Sequence, residues 1–376
     1  MSPTADNAKV NERVISFFPI SRTDGRNITV TYQYDALNRL TNVIFPDTSE
    51  NITYGYDAGA YGKGKLTSVA DPSGTLTYAY NALGMVTQET RVTGGQTYVT
   101  TYSYDSTTGE MSGMTYPGGL ALMYGRDANG QVDEIASGAA VVVRDVKYMP
   151  FGPVREMTFG DGVLTASATY NERYLPTRIQ AGSVTDYQYT EYTGSGEVKA
   201  VTGVTLPDLT AETTSYTPAS DSNRMTDYTY DGAGNIISDG TRTFDYNQRG
   251  RLARVSEGST VLAEYEYDVF GRRVKKTAGS VTTFFHYDLN GLLIAETGAD
   301  GSPLKYYVWL NGQPAAMKVA GSGGAWYYFL NDHLGTPQKL VNSYENVAWE
   351  AAYLPFGEAQ ILTENVENNL RFPGQH

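Results

Sequence analysis

The sequence has 376 residues and a formal net charge of -13, which argues against a nucleic-acid partner because phosphate binding needs a basic surface. It contains no cysteine and only three histidines, which excludes disulfides and thiolate chemistry and makes a multi-histidine metal site improbable. No apolar run reaches the roughly 20 residues of a membrane span, and no signal peptide is visible at residues 1–14. We therefore expect no cofactor, no metal and no membrane span.

The chain begins with a segment, residues 1–29, that carries no repeat, and we expect it to act as an end cap or to be partly mobile. From residue 30 onward, tyrosines recur in a tandem array that we place over residues 30–376. The series consists of Tyr34, Tyr56, Tyr80, Tyr104, Tyr124, Tyr148, Tyr170 and Tyr189, then Tyr230, Tyr246, Tyr267 and Tyr287. The composition, with 31 Tyr and 40 Gly, is typical of strands joined by tight turns.

One repeat unit, YEYDVFGRRVKK (265–276), shows how each unit folds. Tyr265 and Tyr267 are two residues apart and share one face of a strand. Asp268 can bond its own backbone to open a turn, and Gly271 supplies a positive φ. The next strand follows directly, so each unit predicts one antiparallel hairpin. Leu40 and Val43 are three apart rather than two, which a β-bulge would explain.

Further along the chain, the Thr-, Ser- and Pro-rich residues 203–223 interrupt the period, and we interpret them as an irregular insert within the array. The array resumes and leads into three ordered motifs near the C-terminus. These are NDHLGTP with Asp332, His333, Gly335 and Pro337, then YLPFG with Tyr353, Pro355, Phe356 and Gly357, then RFPGQ with Arg371, Phe372, Gly374 and Gln375.

The Tyr-x-Tyr-Asp array resembles the YD repeats of bacterial Rhs proteins, of Tc-toxin cocoon subunits and of teneurins. The three C-terminal motifs resemble the start of the Rhs repeat-associated core, which we place at residues 327–376. The resemblance implies an all-β fold, in which tandem antiparallel hairpins form a long curved or spiralling sheet and a partial β-cage.

In that family the shell encloses a toxic C-terminal polypeptide. The resemblance implies as partners a toxin cargo or further shell segments, with secretion-apparatus proteins and a secreted or cell-surface location. In longer relatives a Tyr-rich segment and an autocleavage motif follow RFxGQ. Neither occurs in this sequence, so we assign no catalytic residue and expect a shell segment that lacks its cleavage site.

His333 is the most tempting catalytic candidate, but no activated serine or orienting carboxylate can be located for a triad. We expect instead that Asn331, Asp332 and His333 bond the backbone of a turn closed by Gly335 and Pro337. Gly59–Lys65 matches a phosphate loop only in part, since Leu66 replaces the Ser or Thr and no helix follows.

Three functions remain open. The first is a non-catalytic wall of a toxin-enclosing shell. The second is a surface adhesion or carbohydrate-binding module, because exposed tyrosines can stack on sugars, and it predicts an outward aromatic patch. The third is a glycoside hydrolase, which would require two strongly perturbed acids in one pocket.

Overall fold

The structure is a computed structural model that describes residues 18–208, 217–321, 324–354 and 357–371. Over these ranges the chain is all-β, as predicted, with two long sheets that are not closed into a barrel. The first sheet contains β1 (Ser21–Thr23), β2 (Thr29–Tyr34), β3 (Leu40–Ile44), β4 (Ile52–Tyr56), β5 (Leu66–Asp71), β6 (Gly74–Tyr80), β7 (Val86–Thr93), β8 (Gln96–Tyr104), β9 (Met111–Thr115), β10 (Ala121–Arg126), β11 (Val132–Ser137), β12 (Ala140–Tyr148), β13 (Val154–Phe159), β14 (Leu164–Tyr170), β15 (Pro176–Ala181), β16 (Thr185–Tyr192) and β17 (Val198–Thr202). A 3-10 turn, Thr48–Glu50, lies between β3 and β4.

The second sheet contains β18 (Thr229–Tyr230), β19 (Ile236–Ser238), β20 (Arg242–Tyr246), β21 (Leu252–Glu257), β22 (Thr260–Tyr267), β23 (Arg273–Ala278), β24 (Val281–Tyr287), β25 (Leu293–Gly298), β26 (Pro303–Leu310), β27 (Gln313–Val319), β28 (Trp326–Asn331), β29 (Pro337–Asn342), β30 (Val347–Tyr353) and β31 (Ala359–Glu364). In both sheets each strand pairs antiparallel with its neighbours in sequence, so each sheet is a meander of hairpins. The sequence interruption at 203–223 falls where the chain leaves the first sheet, since β17 ends at Thr202 and β18 begins at Thr229.

An Asp or Asn in most repeats closes the hairpin turn through its own side chain. In the turn between β22 and β23, Asp268 Oδ1 accepts hydrogen bonds from the backbone N–H groups of Phe270 (3.0 Å) and Arg272 (2.9 Å). Gly271 donates its N–H to the Asp268 carbonyl with φ at 78°, a conformation that favours glycine. The same pair of side-chain bonds is made by Asp35, Asn81, Asp127, Asn171, Asp231, Asp288 and Asp332.

A β-bulge follows each of these turns and explains the three-residue spacing in the sequence. Tyr34 pairs with Leu40, whereas Gln33 pairs with Asn42, so one extra residue stands on the return strand. Tyr32 pairs with Val43, and the bulge therefore places Leu40 and Val43 on the face that carries the two tyrosines.

In most units a tyrosine hydroxyl links the hairpin to the one before. Tyr56 donates its hydroxyl to the Leu40 carbonyl at 2.8 Å, and Leu40 is the residue that pairs with the tyrosine of the preceding unit. The same bond joins Tyr80 to Leu66, Tyr104 to Val86, Tyr148 to Val132, Tyr170 to Val154, Tyr192 to Pro176, Tyr246 to Ile236, Tyr287 to Arg273 and Tyr353 to Pro337. Arg126, Trp309 and Asn331 make the equivalent bond where the tyrosine is replaced. We call this series the tyrosine ladder; it satisfies the carbonyl beside each bulge and accounts for the spacing of the tyrosines.

The two sheets stack face to face on a shared core. Phe159 of the first sheet lies 5.5 Å, centroid to centroid, from Tyr328 of the second, and Tyr116 donates its hydroxyl to the Tyr307 carbonyl at 3.0 Å. Ile135, Val143 and Phe159 are fully buried in this core with Ile294, Val308 and Ala316 from the second sheet. The second sheet is buried on both faces, because Tyr307, Phe329, Leu340 and Trp349 form another core on its opposite side.

Candidate functional site

The residues singled out from the sequence lie on separate hairpins. Tyr265, Tyr267, Asp268 and Gly271 belong to the β22–β23 hairpin, while Asp332, His333, Gly335 and Pro337 belong to the β28–β29 hairpin. The ladder bond from the Tyr353 hydroxyl to the Pro337 carbonyl, at 2.6 Å, joins the NDHLGTP motif to the YLPFG motif. Arg371 lies over the ring of Trp349 at 5.2 Å. Pro355, Phe356, Phe372, Gly374 and Gln375 lie outside the described residues.

Around His333 the turn differs in part from the expected arrangement. Asp332 Oδ1 bonds the N–H groups of Leu334 and Thr336, both at 2.9 Å, but Asn331 donates to the Pro314 carbonyl of the neighbouring hairpin instead. The His333 ring packs edge-on against Tyr189 of the first sheet at 4.9 Å, and its Nδ1 is buried without a partner. Burial lowers the pKa of the His333 imidazole, so it is neutral at pH 7. His333 therefore helps to join the two sheets.

Asp268 contacts both sheets and is fully buried. Its Oδ2 pairs with Arg272 of its own hairpin at 2.7 Å and with Arg91 of β7 at 3.4 Å. Val269, the next residue, donates its N–H to Asp71 of the first sheet at 2.7 Å. The repeat aspartate that caps a turn thus also serves as an ion-pair partner between the sheets, which the repeat pattern alone did not indicate.

Two buried acids and a buried histidine adjoin this ion pair. Burial raises the pKa of Glu89 to about 7, against the opposing effects of Arg272 and Arg91, and burial also raises the pKa of Asp288. Burial, with the nearby charge of Arg91, lowers the pKa of His286 to about 3. The His286 Nε2 lies 2.9 Å from the Thr297 hydroxyl.

A hydrolase would require two strongly perturbed acids in one pocket, but of these two acids only Glu89 lines the adjoining cavity, and that cavity is very small. The cavity lined by Glu89, Arg91 and His286 has a volume of about 10 Å³, room for at most one water molecule. No sugar or peptide fits there. The cluster lies between the sheets and helps to hold them together. The sequence did not indicate it, because charged residues of a strand are expected to face solvent.

The segment after β31 returns across the outer face of the second sheet. Asn365 donates its N–H to the Ala348 carbonyl at 2.8 Å, and Leu370 is buried in the core beneath. The Asn369 amide bonds both oxygens of Glu296 at 3.0 Å, and the Tyr307 hydroxyl donates to the same carboxylate at 2.6 Å. Residues 365–371 thus cover an apolar face, and Arg371 is the residue of the last motif that lies in this segment.

A second, larger cavity of about 690 Å³ lies between the sheets near His333. Its size is that of a small-molecule site. Among the described residues no three His, Asp or Glu side chains come close enough to hold a metal ion. Within the same ranges no helix is long and apolar enough to cross a membrane.

Comparisons with known proteins agree with this architecture. The Teneurin YD-shell family model matches residues 221–372, and the RHS Repeat model matches residues 61–97. Teneurin-3 of Mus musculus is 31% identical over 149 residues, which is 38% of this chain and 5% of the relative. The tRNA3(Ser)-specific nuclease WapA of Bacillus spizizenii is 28% identical over 180 residues, which is 45% of this chain and 8% of that protein.

Solved structures resemble almost the whole chain. A Tc holotoxin pore of Photorhabdus luminescens matches with a TM-score of 0.72 at 15% identity, over 95% of this chain and 24% of that chain. The complex TcdB2-TccC3 matches with a TM-score of 0.59 at 13% identity, over 95% of this chain and 25% of that chain. This chain therefore spans about a quarter of the toxin chains and about a twentieth of the teneurins.

The repeated hairpins, the stacked sheets and these matches define a YD-repeat shell protein. The chain is therefore an Rhs/YD-repeat protein over residues 61–97 and 221–372, which the two family models match.

Proposed function

We propose that this chain is a segment of the wall of a toxin-enclosing shell, that it acts in toxin delivery or interbacterial competition, and that it is itself non-catalytic. The tyrosine ladder carries this proposal, because its bonds tie most hairpins to the one before and help to make a continuous sheet from units that are unstable alone. A wall built in this way can be extended by further hairpins without any change in its local chemistry.

The dimensions of the cavities favour a contribution to a larger enclosure. A space of about 690 Å³ accommodates a small molecule, whereas a folded cargo needs far more room. The partners we propose are therefore a polypeptide cargo and further shell segments, with a secretion apparatus that brings the assembly to the cell surface or the medium.

The arrangement of the perturbed acids supports a non-catalytic wall. Glu89 and Asp288 are buried beside the Arg91–Asp268 ion pair, and the adjoining space of about 10 Å³ cannot hold a substrate. A hydrolytic activity on glycans or peptides that disappears in Glu89→Gln would contradict this part of the proposal.

The test of the shell is a protection experiment. The complete reading frame that contains this chain is expressed with an unfolded fluorescent reporter placed directly after His376, and proteinase K is added. We expect the reporter to survive while the shell is folded and to be digested once urea unfolds the shell. The same reporter fused to an unrelated β-protein is the control. Digestion at equal rates in both fusions, under native conditions, would contradict enclosure.

An adhesion module is the second candidate, and one exposed aromatic group favours it. Phe151 lies 4.4 Å from Tyr174 and 5.4 Å from Tyr170, and Tyr174 is 64% exposed. Rings of this kind can stack on sugars. Glycan-array binding that is lost in Tyr174→Ala, with Tyr344→Ala as the exposed control, would support adhesion, and no binding to any glycan would dismiss it.

A further inference from the structure

The 690 Å³ cavity exists because one patch of the first sheet carries small side chains on its inner face. Leu164, Ala166 and Ala168 alternate along β14 toward the second sheet, so the residues after Leu164 leave space that larger side chains fill elsewhere in the core. Met157 and Phe159 of β13 and Ile179 of β15 form its apolar sides. The space above these alanines, between larger apolar side chains, can therefore accommodate an apolar group of a ligand. We call the two alanines the floor of the cavity.

One cation stands at the rim of this cavity. Arg155 is the extra residue of a β-bulge in β13, because Tyr148 pairs with Val154 and Lys147 with Glu156. It lines the cavity, and the residue is exposed. Its neighbour Glu156 is on the opposite face, where it pairs with Lys147. Within the described part of the chain Arg155 has no carboxylate at ion-pair distance, whereas Arg126, also in the lining, is paired with Glu110.

Two polar atoms in the opposite wall are buried without a partner. Asn331 donates its amide to Pro314, but its Oδ1 accepts no hydrogen bond, and His333 Nδ1 also has none. Both residues line the cavity. Buried polar atoms without partners are uncommon and cost free energy, so a ligand with a polar group at this end would be stabilised.

We propose that this cavity binds a small amphipathic anion, with its apolar body over Ala166 and Ala168 and its anionic group at Arg155. The size of the cavity, its apolar floor and the unpaired cation at the rim together select this class of ligand. The lining also contains the Asp332 carboxylate, which accepts hydrogen bonds from Leu334, Thr336 and Gln338. The inference is independent of the proposed shell function, because a wall segment does not need a ligand site.

The experiment uses two fluorescent probes with nearly the same apolar body. The anionic probe is 1-anilinonaphthalene-8-sulfonate, and the neutral one is N-phenyl-1-naphthylamine. We expect the anionic probe to bind the intact protein saturably with one site, and dodecanoate to displace it. Arg155→Gln should weaken binding of the anionic probe by about tenfold, the effect of losing one charge-assisted contact, and leave the neutral probe unchanged.

A second experiment fills the cavity with a larger side chain. Ala168→Leu should abolish binding of both probes. Two control variants should bind both probes like the wild type: Ala121→Leu, at an exposed position of β10, and Arg242→Gln, at an exposed position of β20. Far-UV circular dichroism and the melting temperature establish that each variant is folded. Equal binding of the anionic probe by the wild type and Arg155→Gln would overturn the anion site, and equal binding by Ala168→Leu would overturn the cavity as its location.

Discussion

At the scale of single residues, the tyrosine hydroxyls have a defined stabilising role. Tyr287 is buried, and its hydroxyl donates to the Arg273 carbonyl at 2.6 Å. Burial raises the pKa of the Tyr287 phenol, so it remains a donor across the range in which the protein is handled. A buried carbonyl that loses such a donor has little access to water.

Replacing Tyr287 by phenylalanine removes only the hydroxyl of one ladder bond. We expect a loss of about 1–3 kcal/mol in the free energy of unfolding, because the Arg273 carbonyl loses the hydrogen bond from the tyrosine hydroxyl. Tyr344→Phe is the matched control, because Tyr344 is 81% exposed. This variant should change the free energy of unfolding by no more than about 0.5 kcal/mol. Urea unfolding of both variants measures the difference, and equal midpoints would show that the ladder bond contributes nothing.

Glu89 gives the stability a dependence on pH. Its folded-state pKa of about 7 lies above the ordinary value of 4.5, so the folded state binds the proton more tightly than the unfolded state. Stability contributed by the protonated group is therefore fully present below about pH 4.5 and is lost as the pH rises toward 7 and beyond.

We expect Glu89→Gln, which resembles the protonated acid, to match the wild type at pH 4.5 and to be more stable at pH 8. The gain in the free energy of unfolding at pH 8 should be at most about 3 kcal/mol, since each pKa unit corresponds to about 1.4 kcal/mol. Glu172→Gln, in an exposed turn, is the control and should not alter the pH profile. Parallel profiles for the wild type and Glu89→Gln would refute the role of Glu89.

At the scale of elements, the segment 365–371 acts as a cover for the second sheet. Leu370 is 3% exposed and packs in the core that contains Trp349, while Asn369 and Tyr307 both bond the buried carboxylate of Glu296. Lys305, also buried, is paired with Glu367 at 2.6 Å. The segment therefore supplies apolar cover and satisfies buried polar groups of the sheet.

Leu370→Ala should destabilise this cover by about 2–5 kcal/mol, the usual cost of truncating a buried leucine. Limited proteolysis should then cut the segment 365–371 faster than in the wild type. Leu362→Ala, at a position 49% exposed on β31, should leave the cleavage rate nearly unchanged. A slow rate in both variants would mean that Leu370 does not hold the segment.

At the scale of the whole molecule, the two sheets depend on one another. Phe159 of the first sheet is fully buried against Tyr328 of the second, and the Arg91–Asp268 pair joins residues 177 positions apart. A core made by both sheets cannot be lost from one sheet without exposing the other. We therefore expect them to unfold in one transition.

Phe159→Ala tests this coupling. The expected cost is about 3–5 kcal/mol, and amide hydrogen exchange should accelerate in β26 and β28 of the second sheet as well as in β13. Val261→Ala, at a position 44% exposed on β22, is the control. Faster exchange confined to the first sheet, or two separate unfolding transitions, would show that the sheets fold independently.

The repeat could be predicted from the sequence because its causes are local. Asp268 and Gly271 lie within four residues of the backbone groups that they satisfy or permit, and the spacing of Leu40 and Val43 already indicated the bulge. Periodic tyrosines indicated tandem hairpins, but the acceptor of each hydroxyl became known only from the pairing of neighbouring strands.

The sequence by itself determined the all-β class, the hairpin unit and the family of this protein, since turn chemistry and side-chain alternation act over a few residues. Only the tertiary structure decided that the insert separates two stacked sheets, that Glu89 and Arg91 face inward, and that alanines on β14 leave a cavity. These features depend on contacts between residues far apart in the chain. A strand has the same alternation of apolar and polar side chains whichever sheet it packs against. Its local sequence pattern therefore does not identify the sheet that covers it.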